Sequence, residues 1–297
     1  MPNISVIIVG HNSRHFLKGC LDSVYNQVYS DIEIIFVDNN SSDDTADFIR
    51  ENYPEIKLIK NGLNLGFSKA NNQAINLSKG RYVLTLNPDV VLEKDFLSNL
   101  VGAFETCALE DNIGMLGGRL LRKDKKTLDS AGLALTKFRR FYDRGSGMPN
   151  NGNFEKLVKI FGPCAAAALY RRDMLEDIKN NEEYFDNDFF AFAEDVDLSW
   201  RANKKGWRAF YVPSAVCYHE RHSLKLDKSL VQYYSFRNRY LMMFKNDKFH
   251  PRHILIIFLY DLPRFFYLLL TNRKTLKALA EIIRLYRPML AKRKECA

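Results

Sequence analysis

The chain has 297 residues, of which 46% are hydrophobic and 27% are charged, with 15 glycines and 9 prolines. These proportions exclude a small disulfide-stapled peptide, a disordered chain and a low-complexity chain, and they supply a core for one large domain or two modest ones. The net charge of +9 is unevenly distributed: residues 201–297 carry 21 Lys or Arg and 6 Asp or Glu, whereas residues 1–200 carry 23 and 29.

Strands and helices alternate in the predicted order of elements. The spacing predicts strands near 4–9, 32–37, 56–60 and 81–86, and helices near 14–27, 43–52, 67–79 and 94–106. This alternation is typical of an α/β fold with a Rossmann-like, mostly parallel sheet flanked by helices. The first two runs are apolar at nearly every position, as strands that are covered on both faces must be.

The middle of the chain is less regular. A glycine-rich stretch at 114–118 and a loop-like segment at 143–153 interrupt the pattern, and the second is expected to be a mobile flap. The small residues of 161–170 predict either a buried strand or a close helix contact. Further along we expect a helix that begins at Glu194 and ends near Gly206, a strand at 208–212, and helices at about 229–246, 252–270 and 273–287.

The C-terminal third combines positive charge with apolar and aromatic runs such as 254–260. This combination favours an anionic membrane surface as a partner, and we predict no nucleic-acid binding. Segment 253–270 is long enough to suggest a membrane span, but Asp261, Pro263 and Arg264 lie in its middle. Because a charge at the bilayer centre costs at least about 2.5–3.5 kcal/mol, an interfacial helix is predicted. The alternative is a helical pair that packs on the body or forms a homodimer.

Both the cysteines and the N-terminus point to the cytoplasm. The five cysteines are odd in number and have no metal-binding spacing, so we expect reduced thiols. The first nine residues are apolar but lack the basic region of a signal peptide, so we expect them to belong to the fold.

Polar clusters follow three of the predicted strands, at 11–13, 38–42 and 87–89. Ligands of open α/β sheets bind beyond the carboxyl ends of the strands, so these clusters are the first candidates for a site. No phosphate-binding loop is present, which excludes a P-loop kinase and a dinucleotide-dependent dehydrogenase. Asp38 could accept a hydrogen bond from a pyrimidine base, and Asp89 could ligate Mg²⁺ or Mn²⁺. Each of them alone is also compatible with a turn residue, and for Asp38 alone the turn is the favoured interpretation.

A second group of candidates lies in the later part of the chain. Glu194, Asp195 and Asp197 open a predicted helix, where the helix dipole by itself favours acids. The aromatic residues of 184–192 precede them, so the acids are expected at the edge of an apolar cleft. If burial and mutual repulsion outweigh the helix terminus, one carboxylate gains the raised pKa of a general base. A lone histidine such as His219 is more often structural, and it becomes a metal-ligand candidate only if it faces Asp89.

Six blocks of the sequence, taken together, resemble the inverting family-2 glycosyltransferases of the GT-A fold, and among them the rhamnosyltransferase-like branch that builds cell-surface polysaccharides. The blocks are Val6 to Asn12, Phe36 to Thr45, Asn64 to Asn72, Leu86 to Asp89, Glu194 to Arg201, and His219 with Ser223. They follow the order of the family over residues 3–240. One such block would be weak evidence for the family, whereas six blocks in the family's order are specific evidence.

The resemblance implies roles for individual residues. Asp38 binds the nucleotide base, Asp195 is the general base with Glu194 beside it, and Asp89 and His219 hold Mg²⁺ or Mn²⁺. The residues expected to line the nucleotide-sugar pocket are Asn12, Asn40, Asn64, Gly66, Asn71 and Asn87, with backbone N–H groups near Phe67 at a helix N-terminus. Asn87 stands where many relatives have a first aspartate, which removes one charge from the metal site.

The implied function is sugar transfer from a nucleotide-sugar, dTDP-rhamnose or a UDP-hexose, to a glycan or lipid-linked acceptor at the inner face of the cell membrane. The transferase domain is expected at 1–240, followed by a basic helical extension at 241–297. Two alternatives stay open. A sugar-phosphate nucleotidyltransferase would need a glycine-rich basic loop that is absent after the first strand. A non-catalytic scaffold of a polysaccharide assembly would not need the acids at 38, 89 and 195.

Overall fold

The computed structural model describes residues 3–106, 112–136, 138–221, 227–247, 255 and 257–295. Their strands form one large mixed sheet and a small two-stranded one, with helices packed around them. The predicted α/β class with a mostly parallel sheet is therefore confirmed. Cys107, Cys296, Ser223 and the start of the helix predicted at 252–270 lie outside the described residues.

The first hundred residues alternate strands and helices, and every predicted boundary lies within two residues of its expected place, whereas the short strand at 90–92 was not predicted. The strands are β1 (Ile4–Gly10), β2 (Ile32–Asp38), β3 (Lys57–Lys60), β4 (Tyr82–Leu86) and β5 (Val90–Leu92). The helices are α1 (Arg14–Tyr25), α2 (Thr45–Asn52), α3 (Gly66–Leu77) and α4 (Phe96–Thr106). Strand β1 pairs in parallel with β2 and β4, and β2 pairs in parallel with β3.

Later elements complete the sheet. They are β6 (Ile113–Arg122), β7 (Leu128–Ser130), β8 (Leu133–Leu135), β9 (Phe141–Asp143), β10 (Val158–Ile160), β11 (Ala167–Arg171), α5 (Arg172–Ile178), α6 (Glu194–Lys204) and β12 (Arg208–His219). Strand β11 runs antiparallel between β4 and β6, and β12 runs parallel to β6. The small-residue run at 161–170 thus ends in a buried strand, one of its two predicted forms.

Three details of the middle segment differ from the prediction. The glycines at 114–118 lie inside β6, where a Cβ on Gly118 would come within 2.3 Å of the Ala215 carbonyl oxygen of β12. The segment at 143–153 is not a free flap, because Leu128 of β7 exchanges backbone hydrogen bonds of 2.8 and 2.9 Å with Met148 and Gly147. Strand β12 continues past Val212, since it pairs again with β6 after a bulge.

The apolar strands of the N-terminal half are covered on both faces. Ile4, Val6 and Ile8 of β1 belong to one hydrophobic cluster, and Ile7 belongs to a second cluster on the other face of the sheet. All four side chains are fully buried. The alternation of strand side chains between the two faces therefore explains why β1 is apolar at nearly every position.

The C-terminal part is helical. It contains α7 (Lys228–Asn246), a π-helical turn (Ile257–Asp261), α8 (Leu262–Thr271) and α9 (Thr275–Glu295). Helix α9 packs along α7, and α7 also contacts α6. Within the described ranges, none of the helices combines the length and the hydropathy that a membrane crossing requires.

Candidate active site

The polar clusters after β1, β2 and β4 meet at one edge of the sheet. Gly10 pairs with Asp38 across β1 and β2, and Ile8 pairs with Leu86 across β1 and β4. Because the three strands are parallel, their carboxyl ends and the loops that follow lie side by side. The fold therefore gathers residues from three separate parts of the sequence.

Asp38, the last residue of β2, is fully buried. Its Oδ1 accepts a hydrogen bond of 3.2 Å from the backbone N–H of Ser41. Its Oδ2 has no hydrogen-bond partner among the described residues. A buried carboxylate oxygen without a donor is costly, so this atom marks a position suited to an N–H or O–H group of a ligand.

Asn12 and Asn40 shape the loops around Asp38. Both have a left-handed backbone, with φ of 52° and 65°, which asparagine tolerates better than most residues. The Oδ1 of Asn12 accepts a hydrogen bond of 2.7 Å from the Ser42 N–H, and its own N–H donates to Ser41 Oγ at 2.9 Å. Asn12 thus joins the β1 loop to the β2 loop, whereas Asn40 is exposed.

Asn39, for which the sequence pattern predicted no role, lies at the centre of this region. Its Nδ2 donates to Asn64 Oδ1 at 3.0 Å and to the Gly66 carbonyl at 3.1 Å. Its Oδ1 accepts from Asn61 Nδ2 at 3.1 Å and from the Leu65 N–H at 3.0 Å. The position carried a usable signal, because an amide that directly follows a buried strand is itself expected to be buried and hydrogen-bonded.

The N-terminus of α3 is closed by another part of the chain. Gly66 has φ of 79°, and a Cβ there would lie 2.6 Å from both the ring and the carbonyl oxygen of Phe190. That carbonyl accepts hydrogen bonds from the N–H groups of Phe67 and Ser68, at 2.6 and 3.2 Å. The expectation that these N–H groups face the nucleotide-sugar is therefore wrong for Phe67 and Ser68, because the loop before α6 caps the helix instead.

The remaining predicted pocket residues lie close to this capped helix or after β4. Asn64 is exposed, and its Oδ1 accepts from the Gly66 N–H at 2.9 Å. Asn71 is buried and donates from Nδ2 to the Phe67 carbonyl at 2.9 Å, while its Oδ1 has no partner among the described residues. Asn87 follows β4 and is partly exposed. Asn71 thus offers a second buried acceptor without a donor.

Asp89 and His219 face each other although they lie far apart in the sequence. Strand β12 brings His219 opposite Val90, and the imidazole Nε2 lies 3.4 Å from Asp89 Oδ1. The other ring nitrogen, Nδ1, lies 2.8 Å from Asp129 Oδ2. Burial disfavours the imidazolium, but the carboxylates of Asp129 and Asp89 outweigh burial and raise the pKa of His219 to about 9.

The donor set of Asp89 and His219 fits a divalent ion that is shared with a substrate. In the described ranges, no group of three or more His, Cys, Asp or Glu side chains could hold a metal by itself. Mg²⁺ sites, however, commonly use one or two protein groups together with the phosphates of the substrate. Asp129 also stands where the outer carboxylate of a metal-bound histidine stands in many proteins, fixing the ring by its Nδ1.

A line of alternating charges leads from His219 toward α6. Asp129 Oδ1 lies 2.8 Å from Arg221 Nε, and Arg221 Nη2 donates to Asp143 Oδ2 at 2.7 Å. The sequence pattern predicted no role for any of these three residues. Single charged residues in unrelated segments carry no local signal. The pairing of β7 and β12 with β6, and of β9 with β8, brings them together.

Glu194 and Asp195 lie in the first turn of α6. Asp195 accepts hydrogen bonds from the N–H groups of Val196, at 2.8 Å to Oδ1, and of Ala165, at 3.3 Å to Oδ2. Burial is the largest cause that raises the pKa of Asp195 to about 6, and the negative charge of Asp143 adds to it. Burial and the charge of Asp195 likewise raise the pKa of Glu194 to about 8. At both acids, burial therefore raises the pKa by more than the helix N-terminus lowers it.

The segment 164–166 connects Asp195 to the loop that carries Asp89. Ala165 donates its N–H to Asp195, and its carbonyl accepts from Thr85 Oγ1 at 2.8 Å. The next carbonyl, of Ala166, accepts from the Asn87 N–H at 2.9 Å. Hydrogen bonds of this segment thus connect Asp195 to the end of β4.

The family model described as "Glycosyl transferase family 2" matches residues 5–179, which include the strand ends that form this site. The chain belongs to glycosyltransferase family 2. A further model, described as "Glycosyl transferase family group 2", matches residues 154–288 of this glycosyltransferase. The resemblance derived from the six sequence blocks is therefore confirmed.

Several bacterial enzymes are similar to this glycosyltransferase. An N-acetylglucosaminyl-diphospho-decaprenol L-rhamnosyltransferase of Mycobacterium tuberculosis is 27% identical over 75% of the chain and 78% of its own length. A GalNAc(5)-diNAcBac-PP-undecaprenol beta-1,3-glucosyltransferase of Campylobacter jejuni is 27% identical over 63% of the chain and 58% of its own length. For other relatives the match covers less of the relative's own length. It covers 43% of a UDP-Glc:alpha-D-GlcNAc-diphosphoundecaprenol beta-1,3-glucosyltransferase of Escherichia coli and 14% of a chondroitin synthase of the same organism.

Solved structures with the same fold include a mannosyltransferase of Pyrobaculum calidifontis in complex with GDP-Man and Mn²⁺. It has a TM-score of 0.59 at 17% identity over 99% of the chain and 85% of its own length. Residues 1–349 of Staphylococcus aureus TarS match with a TM-score of 0.58 at 16% identity, over 100% and 92% of the two chains. These similarities confirm the GT-A fold of this glycosyltransferase.

Proposed function

We propose that this glycosyltransferase transfers a sugar from a nucleotide-sugar to a lipid-linked acceptor, with inversion at the anomeric carbon. The observation that carries the proposal is the convergence of three features at one region of the sheet. These are the unpartnered Oδ2 of Asp38, the facing pair Asp89 and His219, and Asp195 with its raised pKa.

The relatives support particular donors and acceptors. The M. tuberculosis relative is a rhamnosyltransferase, so dTDP-rhamnose is the first donor to test, and the glucosyltransferases of C. jejuni and E. coli support a UDP-hexose as the next. All three are named for acceptors joined through diphosphate to a polyprenol. We therefore propose a polyprenyl-diphosphate sugar as the acceptor class, within cell-surface polysaccharide synthesis.

Asp195 would act as the general base. It takes the proton of the acceptor hydroxyl while that oxygen attacks the anomeric carbon of the donor sugar. The bond from the anomeric carbon to the diphosphate oxygen breaks, and its electron pair leaves with the nucleoside diphosphate. Asp38 Oδ2 accepts an N–H of the base and so orients the donor. With Asp89 and His219 as protein ligands, a bound Mg²⁺ or Mn²⁺ would neutralise charge on the leaving diphosphate.

The proposal is tested by incubating the purified protein with a panel of nucleotide-sugars, with and without Mn²⁺, and a polyprenyl-diphosphate acceptor. We expect transfer from one donor class, and a loss of at least about 100-fold in kcat for Asp195→Asn, since general-base catalysis contributes that much. The control is Asp173→Asn, because the Asp173 side chain is 72% exposed and pairs with Arg171 at the surface. A wild-type protein that transfers no sugar, or full activity in Asp195→Asn, would contradict the proposal.

The C-terminal extension supports a place at the inner, cytoplasmic face of the membrane. Phe258, Leu259 and Leu270 are 67%, 65% and 87% exposed, and further exposed apolar side chains lie beside them in the sequence: Ile257, Leu262, Phe266, Tyr267 and Leu269. We call these eight residues the apolar face. Isolated exposed apolar residues are common, but a concentration of this size marks an interaction surface.

The charges around the apolar face indicate which partner it fits. Four exposed cations follow it, at Arg273, Lys277, Arg284 and Arg287. The acids between residues 257 and 287 are Asp261, which is buried beside Arg239, and Glu281, which lies 2.6 Å from Arg237. An apolar surface with only positive free charge complements an anionic lipid bilayer, so we propose that this face docks on the membrane.

Sedimentation with lipid vesicles tests the docking. We expect binding to phosphatidylglycerol vesicles and little binding to phosphatidylcholine vesicles. Phe258→Ser with Leu259→Ser should weaken binding at least about tenfold, because each buried side chain contributes about 1.5–3 kcal/mol. Val28→Ser with Leu63→Ser is the matched control, since these side chains are 65% and 60% exposed elsewhere on the surface. A dimer in solution that the paired changes Phe258→Ser and Leu259→Ser dissociate would instead assign the face to a second copy of the chain.

A further inference from the structure

The loop between the 3₁₀ turn (Asn187–Phe189) and α6 has an unusual backbone. Phe190, Phe192 and Ala193 have φ of 61°, 69° and 67°, in the left-handed region that residues with a Cβ rarely adopt. Ala193 is the N-cap of α6 and offers no side-chain hydrogen bond to the helix. Three such residues in four positions persist only where the surroundings hold them. Asp195 follows two residues later.

One side chain of α7 holds this loop. Asn238 is fully buried, and its Nδ2 lies 2.9, 2.8 and 2.7 Å from the carbonyl oxygens of Phe189, Ala191 and Phe192. Its Oδ1 accepts a hydrogen bond of 2.6 Å from Arg237 Nη1. The two N–H groups of this amide are thus shared among three carbonyl oxygens of the loop, where left-handed residues interrupt regular backbone hydrogen bonding.

Neighbours of Asn238 on α7 contact the same loop. Arg237 donates from Nη2 to the Asp188 carbonyl at 2.7 Å. Tyr234, one helical turn earlier, stacks on Phe190 with ring centroids 5.2 Å apart and a 6° angle between the rings. Residues three and four positions apart share a helix face, so one face of α7 is fitted to the loop.

The loop connects two parts of the proposed site. Its far end leads into α6 and Asp195, while its Phe190 carbonyl caps α3 through the N–H groups of Phe67 and Ser68. A change in the loop backbone would therefore move the base and the start of α3 together. Helix α3 follows the segment of Asn64 and Gly66, which Asn39 fixes to β2.

We propose that Asn238 is a positioning residue, whose amide holds residues 189–193 in the left-handed conformation and thereby sets the place and burial of Asp195. The catalytic role of Asn238 rests on the proposed function, whereas its restraint of residues 189–193 does not. Asn238 touches no reacting atom in this scheme and acts through the backbone of its loop.

A double-mutant cycle tests the hold on the loop without any activity measurement. Glycine adopts positive φ without strain, so Ala193→Gly should remove the backbone strain at this position and leave the hydrogen bonds of Asn238 in place. In the parent protein, Asn238→Ala should lower the folding equilibrium constant about tenfold or more, because buried carbonyls lose their donor. In Ala193→Gly the same change should cost clearly more, about threefold more, because relaxation of the loop releases backbone strain in the parent protein, whereas little strain remains to be released at a glycine. If urea unfolding shows that Asn238→Ala lowers the folding equilibrium constant equally in the two backgrounds, the proposal that Asn238 restrains the loop is wrong.

The pH profile of transfer tests the positioning of Asp195. The groups that face Asp195 are Asp143, Glu194, Cys164 and Tyr170. If Asn238→Ala lets the loop relax, Asp195 becomes more hydrated, and the acidic limb of kcat/KM should move to lower pH while kcat falls. Asn238→Leu should show the same shift, because an uncharged side chain of similar size cannot donate to the three carbonyls.

Gln27→Ala is the matched control for general destabilisation. Gln27 is buried, and its amide donates to the carbonyls of Ser23 and Glu93 at 2.9 and 2.8 Å, near the end of α1. It should lower stability and leave the pH profile in place. A profile of Asn238→Ala that matches the parent would overturn the positioning role. A parent protein that transfers no sugar would refute the proposed function, and the cycle would still decide whether Asn238 holds the loop.

Discussion

At the scale of single residues, three acids of α6 show that neighbours decide the chemistry of a carboxylate. Burial raises the pKa of Glu194 and of Asp195. Asp197 is buried as well, but Lys245 and Arg201 lie 2.9 Å from its Oδ2 and hold its pKa below the ordinary value. The same residue type, within one helical turn, is thus a candidate base in one place and part of a structural ion pair in another.

The acidic limb of the transfer reaction should follow the raised pKa of Asp195. A general base works only when ionised, so kcat/KM should rise with pH through about 6 and then level off. Asp143→Asn removes a negative charge that disfavours the ionised form, so the limb should move to lower pH by up to about one unit. The surface variant Asp173→Asn should leave the limb unchanged. An unmoved limb in Asp143→Asn, read from kcat/KM between about pH 4.5 and 8, would argue against Asp195 as the base.

Asp129 should matter for metal binding although it is not a proposed ligand. Its carboxylate accepts from His219 Nδ1 and so fixes the ring with Nε2 toward Asp89. Loss of such an outer carboxylate typically weakens metal affinity about 10–100-fold. We expect that range for Asp129→Asn in Mn²⁺ titrations followed by electron paramagnetic resonance. Asp173→Asn should bind Mn²⁺ like the parent protein. If Asp129→Asn also binds Mn²⁺ with the affinity of the parent protein, Asp129 does not orient His219 for metal binding.

At the scale of elements, the site is assembled by the loops at the ends of strands and helices. Helix α3 begins at Gly66 and is capped by the carbonyl of Phe190, which belongs to a loop more than a hundred residues later. Helix α6 begins after left-handed residues that α7 holds in place. The sequence predicted both helix starts to within one residue, but the groups that cap and restrain them could not be predicted, because they come from elsewhere in the fold.

Gly66→Ala should destabilise the protein and weaken donor binding. The left-handed backbone costs a residue with a Cβ about 1–2 kcal/mol, and the contact with the Phe190 carbonyl adds to this cost. Gly102→Ala is the control, because a Cβ there meets nothing within 4 Å and the residue lies inside α4. Urea unfolding should show a loss of about 2 kcal/mol or more for Gly66→Ala, and a gain of about 0.5–1 kcal/mol for Gly102→Ala. Equal effects of the two changes would contradict the strained start of α3.

At the scale of the whole molecule, the C-terminal helices are tied to the segment that precedes the candidate base. Lys245 of α7 lies 2.7 Å from Asp186 Oδ2, and Lys292 of α9 donates to Asp186 Oδ1 at 2.6 Å and to Asp188 Oδ2 at 2.9 Å. These two lysines hold the pKa of Asp186 well below its usual range although burial opposes the charge. The surface proposed for membrane docking is therefore joined through α9 to the loop before α6.

Lys245→Met should be strongly destabilising at neutral pH. It leaves the buried carboxylates of Asp186 and Asp197 without their shared cation, and breaking a buried ion pair costs about 3–5 kcal/mol. Stability from carboxylates with lowered pKa is present above their ordinary pKa and is lost as pH falls, so the deficit should shrink in acid. Lys274→Met, which removes an exposed pair with Asp227, should cost no more than about 1 kcal/mol. If the loss of unfolding free energy in Lys245→Met, measured with urea, is independent of pH, the stabilising role assigned to the ion pairs of Lys245 is wrong.

Much of the fold followed from local pattern, since alternating apolar runs and polar strand ends predicted β1 to β4 and the helices between them. The role of single acids did not. Asp38 and Asp89 could equally have been turn residues, and only the buried orphan oxygen of Asp38 and the facing imidazole of His219 distinguish them. Asp129 and Asn238 were missed because isolated polar residues carry no periodic signal, whereas the position of Asn39 directly after a buried strand could have indicated its role.

The sequence by itself determined the alternation of strands and helices, the polar clusters at the strand ends and the family, because periodicity and ordered motifs are properties of neighbouring residues. The tertiary structure decided which acids are buried, which amides are already bonded and which side chain restrains the loop before α6. Burial, desolvation and hydrogen bonding depend on atoms that come from distant parts of the chain, so these properties exist only once the chain has folded.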